Sequence, residues 1–340
     1  MPVWVVTGGS GFLGSHLLAR LGVALGAGIE VVAVGRKAPV GWSGRFVSTD
    51  FDDPDQVARA AGELRPNFVF HLAGRTPPAR PEEFYRGNTL ATIHWLDALR
   101  GLNQPVRVVL VGSAGELGPV PVEDLPVGET WPCRPADPYG LSKWLATSAG
   151  LVARPPLEVV VARVFNPIGP GLPRSQALGR FARSLAEGQG PITLTVGDLG
   201  AARDFVDARD VAEALIALAS RGDSGRVYHV GTGQSHRVGD GLDRLIALSG
   251  RPVSVVLDPT LGRPTGPTDS RADIARITNE VGWSPRIGWE QSLLDLWASV
   301  ARDISVPGSV GPSVLASRPG IGLGDGGPES WTNPKARFSS

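Results

Sequence analysis

The chain has 340 residues, 33 of them Lys or Arg and 33 Asp or Glu, so it carries no formal net charge. That balance excludes a generic basic footprint for nucleic acid or an anionic membrane surface, and any charge recognition must be local. The single cysteine, Cys133, excludes an intramolecular disulfide, and the longest apolar stretches are interrupted by Gly, Arg or Asp well before the ~20 residues of a membrane span.

In chain order, short β-branched runs alternate with helix-length segments. Val3 to Thr7 is followed by a helix from Phe12 to Leu25, a strand over Glu30 to Val34 and another around Phe46 and Val47. Then come a helix over Pro54 to Leu64, the strand Phe68 to Leu72, a helix from about Glu82 to Arg100 and the strand Arg107 to Val111. This alternation predicts parallel βαβ units, and apolar residues at consecutive strand positions predict helices on both faces. After Asn166 the pattern loosens into Gly- and Pro-rich loops with helices near Gln176 to Glu187, Asp207 to Ala219, Gly239 to Leu248, Ala272 to Val281 and Glu290 to Ala301. From about Ser305 onward Gly, Pro and Ser dominate without periodicity, which predicts a disordered tail. The first strand-like run begins at Val3, so no signal peptide is expected and the cytoplasm is the expected compartment.

Thr7-Gly8-Gly9-Ser10-Gly11-Phe12-Leu13-Gly14 lies between the first strand and an amphipathic helix, where a glycine-rich turn can bind a dinucleotide. Gly8 permits the tight turn, Gly11 lets backbone approach the pyrophosphate, and Gly14 allows helix to pack closely on sheet. At the end of the second strand an acidic residue would accept hydrogen bonds from the ribose 2′-hydroxyl of NAD. Arg36 stands there instead, 22 residues after Gly14, where a guanidinium could pair with the 2′-phosphate of NADP. A solvated surface arginine would look the same. Asp50 and Phe51 follow the third strand and are expected to flank the adenine, although an Asp-rich start to the helix after Pro54 would also serve as a cap.

Tyr139 and Lys143 are four residues apart and share a helical face, where the ammonium can lower the phenol pKa. Ser113 ends the apolar run Val108 to Val111 plus Gly112 and precedes Tyr139 by 26 residues, so its hydroxyl can meet the phenol above a nicotinamide.

With these motifs the sequence resembles the extended short-chain dehydrogenase/reductases from residue 2 to about 302. The matching stretches are Thr7 to Gly14, His71 to Gly74, Asn88, Ser113, Tyr139 and Lys143, Asn166 to Gly171, and Arg203 to Asp207 before Asp210 and Val211. Within that group Val164 to Gly171, and Val196 to Leu199 through Arg203-Asp204-Phe205, look most like GDP-4-keto-6-deoxy-D-mannose reductases. The resemblance implies that Tyr139 donates or accepts the proton, Lys143 lowers its pKa and holds the nicotinamide ribose, and Ser113 orients the reacting oxygen. Its cofactor-binding set is Gly8, Gly11, Phe12, Leu13, Gly14, Arg36, Asp50, Phe51, Leu72, Ala73, Gly74, Tyr139, Lys143 and Val164. Asn166, Arg203 and Arg263 match positions that hold substrate phosphates or sugar, and two guanidinium groups suit a diphosphate. For Arg203 a salt bridge to Asp204 or Asp207 is the structural alternative. No metal is expected.

Similar dehydratases carry an acid/base pair directly after the catalytic Ser or Thr, and related epimerase/reductases a Cys two residues past it. Here those positions are Ala114 and Gly115, with Glu116 one position later as the open question. Leu117 replaces the aromatic residue usual before Gly118. The expected fold is therefore α/β, a Rossmann-like doubly wound parallel sheet with a smaller C-terminal substrate-binding lobe. Its expected divisions are an NADP-binding domain over residues 1–165, mainly a lobe over 166–303 with segments returning to the sheet, and a tail over 304–340. The expected reaction is NADPH-dependent reduction of the 4-keto group of a nucleotide-linked 4-keto-6-deoxyhexose. A 4-epimerase retaining NAD is the enzymatic alternative, and a non-catalytic cofactor-sensing module the alternative of another class. A nucleotide-diphosphate sugar is the expected ligand, with no nucleic acid or membrane partner, and homodimerisation is expected by family analogy.

Overall fold

The computed structural model describes residues 1–24, 28–261 and 268–305. The first half contains β1 (Val3–Thr7), α1 (Phe12–Ala24), β2 (Glu30–Gly35), β3 (Arg45–Ser48), α2 (Pro54–Leu64), β4 (Phe68–His71), α3 (Pro81–Phe84), α4 (Ala91–Arg100), β5 (Val106–Ser113), α5 (Pro138–Leu151) and β6 (Leu157–Val164). The second half contains β7 (Asn166–Ile168), α6 (Ala177–Glu187), β8 (Ile192–Val196), β9 (Ala202–Arg203), β10 (Phe205–Asp207), α7 (Ala208–Arg221), β11 (Val227–Val230), β12 (His236–Arg237), α8 (Val238–Ser249), β13 (Val253–Leu257) and α9 (Trp289–Ser305).

Seven strands form one sheet in the order β11-β6-β5-β4-β1-β2-β3, and every pairing is parallel. The period of two along each strand divides the apolar residues between two helical layers. Trp4 and Val6 of β1 join Leu17, Leu21, Val211 and Leu215 on the face covered by α1 and α7. Val5 joins Val57, Leu64, Trp95 and Leu99 under α2 and α4. The chain reverses direction across the sheet between β1 and β4, which opens a crevice at their C-terminal ends, the usual ligand position in such sheets.

A separate apolar cluster holds α6, α8 and α9 together. Leu178, Phe181, Ala182 and Leu185 lie at helical spacing on one side of α6 and pack with Leu242, Leu245, Leu293, Leu296 and Val300. Parallel β8 and β13 cover this group. Strand β11 returns to the main sheet beside β6.

Three expectations are altered. The helix expected over Glu82 to Arg100 is three pieces, because a wide π turn at Tyr85–Leu90 separates α3 from α4. That turn points Asn88 at the backbone of Arg75, where its Oδ1 accepts the amide (2.7 Å) and its Nδ2 donates to the carbonyl (3.1 Å). The helix expected over Ala272 to Val281 starts later. The Ala272 amide donates to Asp204 (3.0 Å) and the Asp273 amide to the Val127 carbonyl (2.8 Å), which holds this stretch extended. Finally, α9 runs through Ser305, so the tail boundary drawn at 304 falls inside a helix. Residues 306–340, the rest of the expected tail, lie outside the described residues, as does Leu25.

Candidate active site

The glycine turn closes tightly on its own backbone. Gly8 has φ +70°, and a Cβ there would lie 2.7 Å from the Ala73 amide nitrogen, so both backbone angle and space require glycine. Gly14 faces the Gly8 carbonyl and the Gly9 Cα, so it permits close packing of α1 on the turn itself. A Cβ on Gly11 would meet only the Gly8 carbonyl, at 3.2 Å, so this glycine fronts the crevice. The first-turn amides at Phe12, Leu13 and Gly14 have no helical carbonyl four residues earlier, and no acidic side chain occupies that turn. An anionic pyrophosphate fits this terminus.

The adjoining strand ends are tied together by Thr7, whose hydroxyl accepts the amides of Leu72 and Ala73 (3.1 Å each) and donates to His71 Nδ1 (2.9 Å). His71 Nε2 then donates to Thr92 (3.2 Å). Burial lowers the His71 pKa to about 3, assisted by the nearby Lys143 charge, so the ring is the neutral tautomer. Gly74 approaches Asn88, whose Oδ1 would stand 2.6 Å from any Cβ. Arg36 is exposed directly after β2. The Phe51 ring faces inward, edge-on to His71 and Trp95, so a flanking role toward adenine would fall to its backbone. Asp53, not Asp50, caps α2, accepting the amides of Asp55 (2.9 Å) and Gln56 (3.1 Å).

Asp137 caps α5 by accepting the Gly140 amide (2.7 Å), with Pro138 at its first position. Tyr139 and Lys143 follow on one face. The Tyr139 ring packs edge-on against Phe84, at 5.6 Å between centroids. Lys143 Nζ donates to the Val111 carbonyl (2.6 Å); burial lowers its pKa and the Glu116 carboxylate opposes that shift. Asn88 Nδ2 donates to the Ser142 hydroxyl (2.9 Å), which donates to the Tyr139 carbonyl (2.7 Å). The wide turn before α4 thus braces the start of α5.

Ser113 and Tyr139 line a cleft of about 240 Å³ together with Gly115, Leu117, Asn166 and Arg203. A Cβ at Gly115 would lie 3.5 Å from Ser113 Oγ and 3.6 Å from Tyr139 Cδ1, so a side chain at this position would stand beside both residues. Glu116 does not: it is fully buried, with Oε1 accepting from the Ser113 amide (2.7 Å) and Thr147 (3.0 Å) and Oε2 from Arg163 (3.0 and 2.9 Å). The spacing Ser113-x-x-Glu116, that of a capping box, is the sequence signal for this inward turn.

Arg203 reaches the same cleft and donates to the Ala202 carbonyl (2.6 Å). Its two expected competitors are committed elsewhere. Asp204 accepts from Thr232, Gly233 and Ala272, and Asp207 from Arg209 and Ser292. Asn166 Nδ2 donates to the Asp204 carbonyl (3.3 Å). Val164 ends β6 as a buried residue beneath this region. Arg263 lies outside the described residues. The cleft wall also includes Ser175, Gln176 and Asp269, which sequence patterns did not mark; no periodicity or spacing distinguishes them. Asp269 Oδ1 is buried with no hydrogen-bond partner among the described residues.

The model of the NAD dependent epimerase/dehydratase family matches residues 4–231. The chain belongs to that family. GDP-6-deoxy-D-mannose reductase of Pseudomonas aeruginosa is 33% identical over 312 residues, covering 88% of this chain and 98% of the relative. dTDP-6-deoxy-L-talose 4-dehydrogenase (NAD(P)(+)) of Kitasatospora kifunensis is 32% identical over 304 residues, 86% of this chain and 94% of the relative. Among solved structures, RMD from Pseudomonas aeruginosa complexed with NADPH superposes with TM-score 0.77 at 31% identity, covering 89% of this chain and 99% of that one. The UDP-glucose 4-epimerase of Thermus thermophilus in complex with NAD superposes with TM-score 0.75 at 28% identity, covering 88% and 98%. The expected Rossmann-like fold, the extended short-chain type and an NAD(P)-dependent oxidoreductase are borne out for this epimerase/dehydratase family member. Among the described residues no helix is long and apolar enough to cross a membrane.

Proposed function

We propose that this family member reduces the 4-keto group of a nucleotide-linked 4-keto-6-deoxyhexose with NADPH. The observation that carries the reading is one cleft lined by Ser113, Tyr139, Asn166 and Arg203, with glycine at position 115 and the Glu116 carboxylate turned inward and fully committed. Ketone reduction needs one proton at oxygen and hydride at carbon, and no further acid or base. Dehydration needs a second acid/base group, and neither Ala114 nor Gly115 supplies one. The relatives named as a 6-deoxymannose reductase and a 6-deoxytalose 4-dehydrogenase support the same class of sugar.

When bound, the dinucleotide supplies the hydride, and it fits the Gly8–Gly14 turn and the first-turn amides of α1. Tyr139 holds the proton given to the ketone oxygen, Ser113 orients that oxygen, and Lys143 fixes the ribose and stabilises charge on the phenol. Arg203 and Asn166 bind the diphosphate end of the substrate, and the Asp269 oxygen that has no partner among the described residues accepts from a substrate hydroxyl. The structures of UDP-glucose 4-epimerases favour a 4-epimerase as the second reading. Arg36 discriminates, because a retained NAD is better matched by an acidic residue after β2.

The test is incubation with NADPH or NADH and a panel of freshly prepared nucleotide 4-keto-6-deoxy sugars, following cofactor absorbance and identifying the product. Stoichiometric NADPH consumption is expected. Interconversion of 4-epimers without added cofactor would establish the epimerase instead. In the same assay Arg36→Asp is expected to weaken NADPH binding by roughly 10- to 150-fold, the value of a charge-assisted phosphate contact of ~1.5–3 kcal/mol, and equal wild-type affinity for NADH and NADPH would defeat the cofactor assignment. GDP-mannose is expected to give no 4-keto-6-deoxy product. A homodimer is proposed through α4 and α5 and the turns that flank them, where Leu90, Trp144, Leu145 and Val152 expose apolar surface. Sedimentation velocity giving the monomer mass at micromolar concentration would remove it.

A further inference from the structure

We propose that Glu116 is a positioning residue of the reaction centre, clamping the strand end that presents Ser113 to the helix that presents Tyr139 and Lys143. The inference rests on the roles proposed above for those three residues.

The geometry is a closed set of contacts around one carboxylate. Oε1 takes the amide of Ser113 at 2.7 Å from the end of β5 and the hydroxyl of Thr147 at 3.0 Å from α5. Thr147 stands one helical turn after Lys143 and two turns after Tyr139, so the bond fixes the helical face that carries both. Oε2 takes Nε and Nη2 of Arg163, at 3.0 and 2.9 Å. Arg163 is on β6 directly opposite Gly112 of β5, so the ion pair spans the strands beside the catalytic serine.

Glycine at 112 makes the clamp possible. A Cβ there would lie 2.5 Å from Glu116 Oε1 and 3.2 Å from Thr147 Oγ1, so the carboxylate occupies the place where a side chain would be. The charge is balanced locally. Arg163 Nη1 meets His229 Nε2 (3.3 Å), whose Nδ1 donates to the Val127 carbonyl (3.1 Å), and Nη2 meets Cys133 Sγ (3.2 Å). Burial, then the Arg163 charge and that of Arg276, bring the His229 pKa to about 3 against the Val127 hydrogen bond, so the ring is neutral and its Nε2 accepts from Arg163. Glu116 also opposes the burial effect that would discharge Lys143. A capping box alone would explain the Ser113 amide bond but not the arms to Thr147 and Arg163.

The decisive substitution is Thr147→Val, which removes the arm to α5, keeps side-chain shape and leaves the buried Glu116–Arg163 pair intact. Thr147→Ser restores the hydroxyl. Two measurements are made on each full-length protein: steady-state kinetics on the ketone substrate, and amide hydrogen exchange of the peptide covering residues 110–117. For Thr147→Val we expect kcat to fall about 10- to 100-fold with KM within twofold, because a small displacement of reacting groups costs rate more than binding. Exchange at the Ser113 amide is expected to accelerate about tenfold. Thr147→Ser should recover most of both. Wild-type kcat and exchange in Thr147→Val would overturn the proposal, as would a fall in melting temperature with neither readout moved, since the cluster would then be structural only. Failure of the reductase reading shows separately, as no turnover of any panel ketone by the wild type, and the exchange experiment still decides whether Glu116 and Thr147 hold Ser113.

Discussion

Replacing Tyr139 by Phe is expected to lower kcat by about 10²- to 10⁴-fold while leaving the cofactor Kd within roughly twofold of wild type. The ring would keep its edge contact with Phe84 and its place in the cleft wall, so binding surfaces change little. What is lost is the hydroxyl that, in the proposed mechanism, hands a proton to the oxygen as hydride reaches carbon, an interaction worth most in the transition state. Lys143→Met should harm both kcat and cofactor affinity. Its ammonium is pinned to the Val111 carbonyl one turn from Tyr139, and in the proposed mechanism it stabilises negative charge on the phenol and holds the cofactor ribose. Stopped-flow hydride transfer with cofactor titration separates the two effects. A Tyr139→Phe enzyme retaining more than a tenth of wild-type kcat would remove the proton-donor role.

Acidification from pH 7.5 to 5 is expected to destabilise the protein by about 2 kcal/mol, lowering Tm by roughly 5 °C. His71 and His229 are buried and neutral in the fold, with pKa values near 3, whereas in the unfolded chain they protonate near the ordinary 6.5. Between those values the unfolded state binds more protons, so stability is fully present above about pH 6.5 and is lost as pH falls toward 3. Each contributes about 1.4 kcal/mol per pH unit once pH is well below 6.5. His16, lowered mainly by burial, acts in the same sense. Asp210 opposes them, because burial raises its pKa to about 6 from 3.8, and the folded state therefore takes up its proton first over that window. Asp204, also raised by burial, adds to the opposition. The histidines outweigh the two carboxylates above about pH 5, where the carboxylate effects are partial. Thermal melts at the two pH values in matched ionic strength decide the sign, and a Tm that holds or rises on acidification would contradict it.

The parts legible in the sequence are those built by short-range rules. Strand and helix alternation follows from apolar periodicity, and the Gly8–Gly14 turn follows from the absence of Cβ atoms where backbone meets backbone. Tyr139 and Lys143 share a helical face through their spacing alone. Tertiary structure decided what no local pattern encodes. Phe51 and Asp50 are neighbours, yet packing against His71 and Trp95 turns the aromatic ring into the core. Ala272 was legible as a helix start, but a buried carboxylate 68 residues earlier takes its amide and keeps it extended. Asn166, Arg203 and Asp269 meet Ser113 and Tyr139 only because segments that follow the main-sheet strands, the short β7 and β9 among them, converge at one end of the sheet. Glu116 is the clearest case. One residue farther along the chain than a dehydratase acid, it is turned inward by Arg163 and Thr147, because a buried carboxylate must satisfy its charge and oxygens with whatever donors the folded neighbours provide.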